Sequence, residues 1–153
     1  MSRSRMNIRI QQALETDMIQ VAQIEKENFT DPWTLQGFYD AYQRNEVIFL
    51  TAMQEDEVAG YVLLYCAGDE GEIPTISVKN RYRRQGIASA LLENLFQEAV
   101  SRKVCNIFLE VREGNDAAQL LYKKHGFEQV GMRKNFYQHP IENALVMKAQ
   151  ILN

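Results

Sequence analysis

Between Lys79 and Arg84 the chain places four cations in six residues, and Gly86 and Ala88 follow almost at once with little or no side chain. An apolar, helix-forming run, IASALLENLFQEAVSRK, begins at Ile87. A helix start carries unpaired backbone N–H groups and a partial positive charge. Basic side chains gathered there, with a glycine leaving room, make a cradle for a phosphate or pyrophosphate. Spacing alone gives similar weight to plain surface arginines beside a helix. The chain has no G-x-x-x-x-G-K-[ST] and no G-x-G-x-x-G after a first strand, which argues against a nucleoside-triphosphatase loop and a Rossmann dinucleotide site. A second candidate is Glu110, in the run VCNIFLEV. Ile107, Leu109 and Val111 face one way there, and Asn106, Phe108 and Glu110 the other. A carboxyl beside Phe108 could have a raised pKa and take up a proton; on the residues alone, a solvated strand face is the preferred reading. Cys105, in the same apolar run, is a possible nucleophile. Neither of the two histidines, His125 and His139, is near it in sequence, so a small core residue is the better reading.

The elements that must position these groups follow from pattern. The 153 residues suit one domain, residues 1–153, with a single sizeable core, and 46% hydrophobic with 24% charged residues is a globular composition. A net charge of −3 argues against a general nucleic-acid binder. Two cysteines in apolar runs fit a reducing interior rather than a disulfide scaffold or zinc site. The start MSRSRMNIRIQQ has no apolar stretch of signal-peptide type, and no segment has the length to span a bilayer. The expectation is a soluble cytoplasmic protein with no metal, no membrane partner and no direct nucleic-acid partner. A strand is predicted over 7–12, a helix capped by Thr16, and, after Asp31-Pro32, a helix capped by Thr34 with Leu35, Phe38, Tyr39 and Tyr42 on one side. VIFLTAM and VAGYVLLYC read as a hairpin. EIPTISV reads as one strand, bulged or at an edge because Pro74 cannot donate a ladder bond. The long helix after Gly86 has Ile87, Leu91, Leu92, Leu95, Phe96 and Val100 at helical spacing. A strand, a helix capped by Asn115 and stopped by Gly126, and two closing strands near 127–132 and 143–150 complete the order β-α-α-β-β-β-α-β-α-β-β. The fold class is α/β (α+β), with a mixed sheet of about seven strands and about four helices.

Arg83-Arg84-Gln85-Gly86-Ile87-Ala88 matches [QR]-x-x-G-x-[GA], and so resembles the signature of the GCN5-related N-acetyltransferase (GNAT) superfamily. The element order resembles that fold over essentially the whole chain. LEVREGNDAAQLLYKKHGF (109 to 127), RKNFYQHP (133 to 140) and FTDPWT (29 to 34) are similar to the bacterial ribosomal-protein-alanine N-acetyltransferases within it. The resemblance implies Glu110 as general base, Tyr122 as general acid and acetyl-CoA as co-substrate. It implies that the pyrophosphate is held over Arg83, Arg84, Gln85, Gly86, Ile87, Ala88 and Ser89. Asn115 becomes a cofactor contact, and Ile76, Ser77 and Val78 offer strand backbone to the pantetheine arm. Two departures stand out. Pro74-Thr75 precedes Ile76 where the family often has Asn, which bears on the amine side, and Phe136 rather than Tyr precedes Tyr137.

On that resemblance the acceptor is a protein N-terminus, with a ribosomal protein's N-terminal alanine as first choice. An N-terminal amine, with a pKa near 8, is roughly a quarter neutral at pH 7.4, against about one part in a thousand for lysine, so it asks less of the base. A phenol is a fitting donor to a departing thiolate, although a ring packed on the sheet is the plainer role of Tyr122. Direct transfer in a ternary complex is preferred over a route through Cys105. Trp33, Tyr137 and the acidic residues Glu55 to Glu57 and Asp69 to Glu72 are expected on the acceptor side, where acidic residues would suit a basic peptide. The alternatives are a superfamily member acting on a small amine or a lysine, and a non-catalytic acetyl-CoA-binding module.

Overall fold

A computed structural model describes residues 7–152; the MSRSRM start and Asn153 lie outside the described residues. Val47–Gln54 (β2) and Glu57–Ala67 (β3) form an antiparallel hairpin, turned at Glu55-Asp56 with Glu55 at φ 53°. Their side chains alternate between two buried clusters. Ile48, Leu50, Ala59, Val62 and Leu64 face one way, and Val47, Phe49, Tyr61 and Leu63 the other. Both faces are therefore covered, which is why these runs read as continuously apolar. On the first face lies the helix Ile87–Ser101 (α3), with Leu91, Leu92 and Leu95 buried. Ala99 completes that stripe, whereas Val100, expected on it, is exposed. The second face is covered by Met18–Asn28 (α1) and Leu35–Tyr42 (α2).

The expected Thr16 cap is replaced by a 3-10 turn, Glu15–Asp17, in which Asp17 Oδ2 accepts from the Leu14 N–H (2.8 Å). Thr34 caps α2 as expected, its Oγ1 accepting from the Gly37 N–H (3.0 Å). Phe38 and Ala41 carry the packing of that helix, while Leu35 and Tyr42 are exposed. Replacing Thr34 with alanine is expected to lower stability by about 1 kcal/mol, read as a shifted urea midpoint at unchanged slope.

The remaining strands are Ile8–Gln12 (β1), Glu70–Ile73 (β4), Ile76–Val78 (β5), Asn106–Arg112 (β6), Phe127–Gln138 (β7) and Ile141–Gln150 (β8), with the helix Asp116–Lys124 (α4) between β6 and β7. Among the described residues the sheet has eight strands in the order β1-β2-β3-β4-β6-β8-β7, with β5 paired to β3. The mixed sheet agrees with the expectation of about seven strands; the additional one arises at Pro74-Thr75, where the chain breaks and EIPTISV becomes two strands. The closing strands also run longer than expected, to Gln138 and from Ile141. β4 pairs with β6 in parallel and with β3 antiparallel. Among the described residues no helix is long and apolar enough to cross a membrane.

Candidate active site

The parallel register of β4 on β6 ends at Ile73↔Leu109. One step further would set Pro74 abreast of Glu110, but Pro74 has no N–H to continue a ladder and β5 turns to pair with β3 alone. β6 continues to Arg112 paired only with β8. The sheet therefore forks, and Glu110 stands at the fork. Hydrogen bonds from the Leu63 N–H to the Thr75 carbonyl (3.3 Å) and from the Lys79 N–H to the Ala59 carbonyl (2.7 Å) fix which residues of this stretch face β3. By the antiparallel alternation, Ser77 shares that side, and the backbone groups of Ile76 and Val78 point into the fork. Of the three residues expected to offer backbone to an extended ligand, Ile76 and Val78 are so placed and Ser77 is not. The Val78 carbonyl is already occupied, accepting from Asn28 Nδ2 (3.0 Å) and Arg83 Nε (3.4 Å).

At one end of the fork lies the turn into α3. Arg84 has φ 63° and Gly86 φ 77°. The first bond of the helical ladder runs from the Ala90 N–H to the Gly86 carbonyl (3.0 Å), so the N–H groups of Ile87, Ala88 and Ser89 precede it. A Cβ built on Gly86 meets nothing within 4 Å, so the space beside this turn is open. The four cations counted in sequence divide into two pairs. Lys79 and Arg81 both bond Glu57, Lys79 at 3.0 Å, and the Tyr82 hydroxyl donates to the same carboxylate. The Arg81 guanidinium is the largest cause that holds the Glu57 carboxyl down to about 2. Arg83 and Arg84, both exposed with Gln85, remain to face an anion. Glu57, expected on the acceptor side, belongs instead to this cation cluster. The Ser89 hydroxyl lies 2.9 Å from His125 Nε2. The open turn, the unpaired amides and the unpartnered strand edge fit an extended pyrophosphate ester such as coenzyme A.

The side of β6 opposite α3 carries Asn106, Phe108, Glu110 and Arg112, all half-buried. Glu110 Oε2 is buried without a hydrogen-bond partner, and its nearest cation, Arg133 Nε, is 3.5 Å away in a poorly aligned ion pair. Burial raises the Glu110 carboxyl above the ordinary range; Arg133 opposes this and Glu72 adds to it. Glu72 is the Cα partner of Phe108 across β4 and β6, and of the expected acidic residues it is the one that acts on Glu110. Tyr137 is pushed up to about 12, first by burial and then by Glu110. Tyr122 is buried and raised further, by burial and by Tyr137. Glu110, Tyr137 and Tyr122 thus form one electrostatically linked group. An irregularity in β7 between Arg133 and Tyr137, where Asn135 has φ 52°, re-aims Tyr137 towards it.

Arg112 closes the far side of the site. Its guanidinium lies over the Tyr137 ring (4.3 Å to the centroid) and donates to the Pro140 carbonyl (3.0 Å), Glu142 Oε1 (3.1 Å) and Thr30 Oγ1 (3.2 Å). Spacing within β6 does not single it out, because its partners lie on β7, the β7–β8 turn, β8 and the 29–34 loop. His139 Nδ1 sits 2.8 Å from Asp31 Oδ1, joining the same loop to the β7–β8 turn. Asn115 caps α4, its Oδ1 accepting from the Ala118 N–H (3.1 Å). Gly126 ends α4 at φ 91°, and Phe127 is buried behind it with its ring 5.7 Å from that of Tyr122. Trp33 is half-buried against Phe38 (5.2 Å) and Tyr65 (6.2 Å), at the rim of the α1–α2 cluster. Cys105 is half-buried just before β6 rather than in the core, and neither histidine pairs with it.

The [ribosomal protein bS18]-alanine N-acetyltransferases of Escherichia coli K12 and Salmonella typhimurium are 32% and 31% identical to this chain over 138 residues, covering 89% of it and 93% of each relative. The crystal structure of the ribosomal-protein-S18-alanine N-acetyltransferase from Escherichia coli superposes with a TM-score of 0.89 at 30% identity, covering 96% of both chains. That of Ard1 from Thermoplasma volcanium superposes at 0.88 with 26% identity, covering 95% of this chain and 99% of that one. The match to the acetyltransferase (GNAT) family spans residues 18–127, so it takes in α1 to α4 and the whole fork, and the chain belongs to that family.

Proposed function

We propose that this protein transfers an acetyl group from acetyl-CoA to the N-terminal α-amine of a protein, with an N-terminal alanine of a ribosomal protein as acceptor. The observation that carries this reading is the fork itself. It sets a partly buried carboxyl, its pKa raised first by burial, at the junction of an unpaired strand edge and a helix start rich in free amides. The relatives named above as alanine N-acetyltransferases support the choice of acceptor.

Acetyl-CoA supplies an acyl group activated as a thioester. The α3 turn holds its pyrophosphate through the Ile87, Ala88 and Ser89 amides and the Arg83 and Arg84 side chains, and Asn115 adds a contact from α4. The Ile76 backbone and the Val78 N–H hold the arm between β5 and β6, so the reactive end is directed at Glu110. Glu110 Oε2, which lacks a hydrogen-bond donor of its own, accepts the proton released by the acceptor amine, directly or through a water. The Tyr122 phenol stays protonated at neutral pH because burial disfavours its anion, and it donates a hydrogen bond to the sulfur, which departs as the thiolate. Trp33 and Tyr137 flank the acceptor, with Arg112 fixing Tyr137 from above.

The test is mass spectrometry of products after incubation with acetyl-CoA and three acceptors: a basic peptide beginning with alanine, free lysine, and a polyamine. Acetylation of the peptide's α-amine is expected. Acetylation of the small amines alone would overturn the acceptor, and cofactor binding without any product would overturn catalysis.

A further inference from the structure

Glu25 lies within α1, is 2% exposed, and has no part in the chemistry above. It accepts three hydrogen bonds and pairs with no cation among the described residues. Oε1 accepts from the Tyr61 hydroxyl (2.6 Å) and the Thr75 hydroxyl (2.6 Å), and Oε2 accepts from the Trp33 backbone N–H (3.0 Å). The two hydroxyl contacts have the short lengths of bonds to an anion. A carboxylate has no donor of its own, so it suits a pocket where three donors converge.

The donors come from three different places. Tyr61 belongs to β3, Thr75 stands in the break that opens the fork, and Trp33 begins the approach to α2. We propose that Glu25 is a positioning residue that locks the 29–34 loop to the fork and so sets the acceptor wall relative to Glu110. This rests on the acceptor-side reading of Trp33 given above. β5 does not depend on Glu25 in the same way, because its ladder to β3 and the Asn28 contacts to Ser77 Oγ (2.6 Å) and the Val78 carbonyl hold it independently. The loop's other ties, Arg112 to Thr30 and His139 to Asp31, are exposed and weaker. Loss of Glu25 therefore acts on the acceptor before it acts on the coenzyme.

Trp33 is the only tryptophan, so intrinsic fluorescence reports the loop without any turnover. Glu25→Met removes every acceptor at similar length. It is expected to shift the Trp33 emission to the red and to raise KM for the acceptor peptide about tenfold, the scale set by losing one charge-assisted bond, while the Kd for acetyl-CoA stays within about twofold. Glu25→Gln can turn its carbonyl to the Trp33 N–H and donate to the two hydroxyls, which can rotate to accept; it is expected to restore the emission and most of the peptide affinity. Should Glu25→Met not fold, Glu25→Asp, one methylene short of Trp33, carries the same expectation. An unchanged emission, an equal loss of peptide and coenzyme binding, or a glutamine variant as impaired as the methionine one would each overturn the proposal. A wild-type protein that acetylates no peptide would instead sink the acceptor reading, which the same assay shows separately.

Discussion

Glu110→Gln is expected to lower kcat by two to four orders of magnitude while the Kd for acetyl-CoA barely changes, since general-base contributions are of that size and the coenzyme is held elsewhere. The pH profile sharpens the test. A base acts only when ionised, so kcat/KM should rise with pH through the pKa of Glu110. That pKa lies above the ordinary carboxylate value, first because of burial. Arg133→Ala removes the opposing cation and should move this acid limb to higher pH; Glu72→Gln removes a like charge and should move it lower. Stability supplies a control of opposite sign. A carboxyl raised on folding favours the protonated form in the native state, so its contribution is fully present below the unfolded pKa and is lost as pH rises through the folded one. Whenever it is ionised, Glu110 keeps a buried oxygen without a donor. The glutamine variant should thus melt no lower than wild type at pH 7 although it is inactive. A wild-type rate across the pH range would remove Glu110 from the mechanism.

Gly86→Val should abolish coenzyme binding, raising Kd at least about a hundredfold by blocking a charge-rich pyrophosphate contact, with far-UV circular dichroism unchanged. The cause is space rather than collapse of the fold. A Cβ at Gly86 meets no protein atom within 4 Å, so the branched side chain projects where the ligand must lie. The backbone at φ 77° adds strain of about 1–2 kcal/mol for a non-glycine residue. Gly86→Asn separates the two effects, because asparagine tolerates that conformation but still fills the space. Binding should fall in both variants and stability mainly in the first. Normal calorimetric titration of Gly86→Val with acetyl-CoA would show that the cradle lies elsewhere.

Much of this site could be read from local pattern because local physics makes it. The turn before α3, the Thr34 and Asn115 caps and the Gly126 stop depend on residues a few positions apart, and all four are present. Long-range pairing was harder to read. EIPTISV has one continuous apolar pattern, and only the neighbours on either side decide that β4 joins β6 while β5 does not. Lys79 and Arg81 looked like part of an anion site until the fold brought Glu57 to them. Glu25 did leave a trace. It follows Met18 and Val21 at seven and four residues, so it is a lone acid on the apolar stripe of α1, a position that asks for buried donors. Arg112 stands in the LEVR block, but nothing local marks its role, since its partners are Tyr137, Pro140, Glu142 and Thr30.

The sheet also works as a partition wall. The cluster packed on α3 backs the turn into that helix, and the separate cluster under α1 and α2 backs the loop that carries Trp33. On the proposed reading, substitutions under α1 and α2 that spare Asn28 would retune which amine is admitted while leaving the grip on the acyl donor intact. A lineage of such proteins can therefore change clients while keeping its fuel.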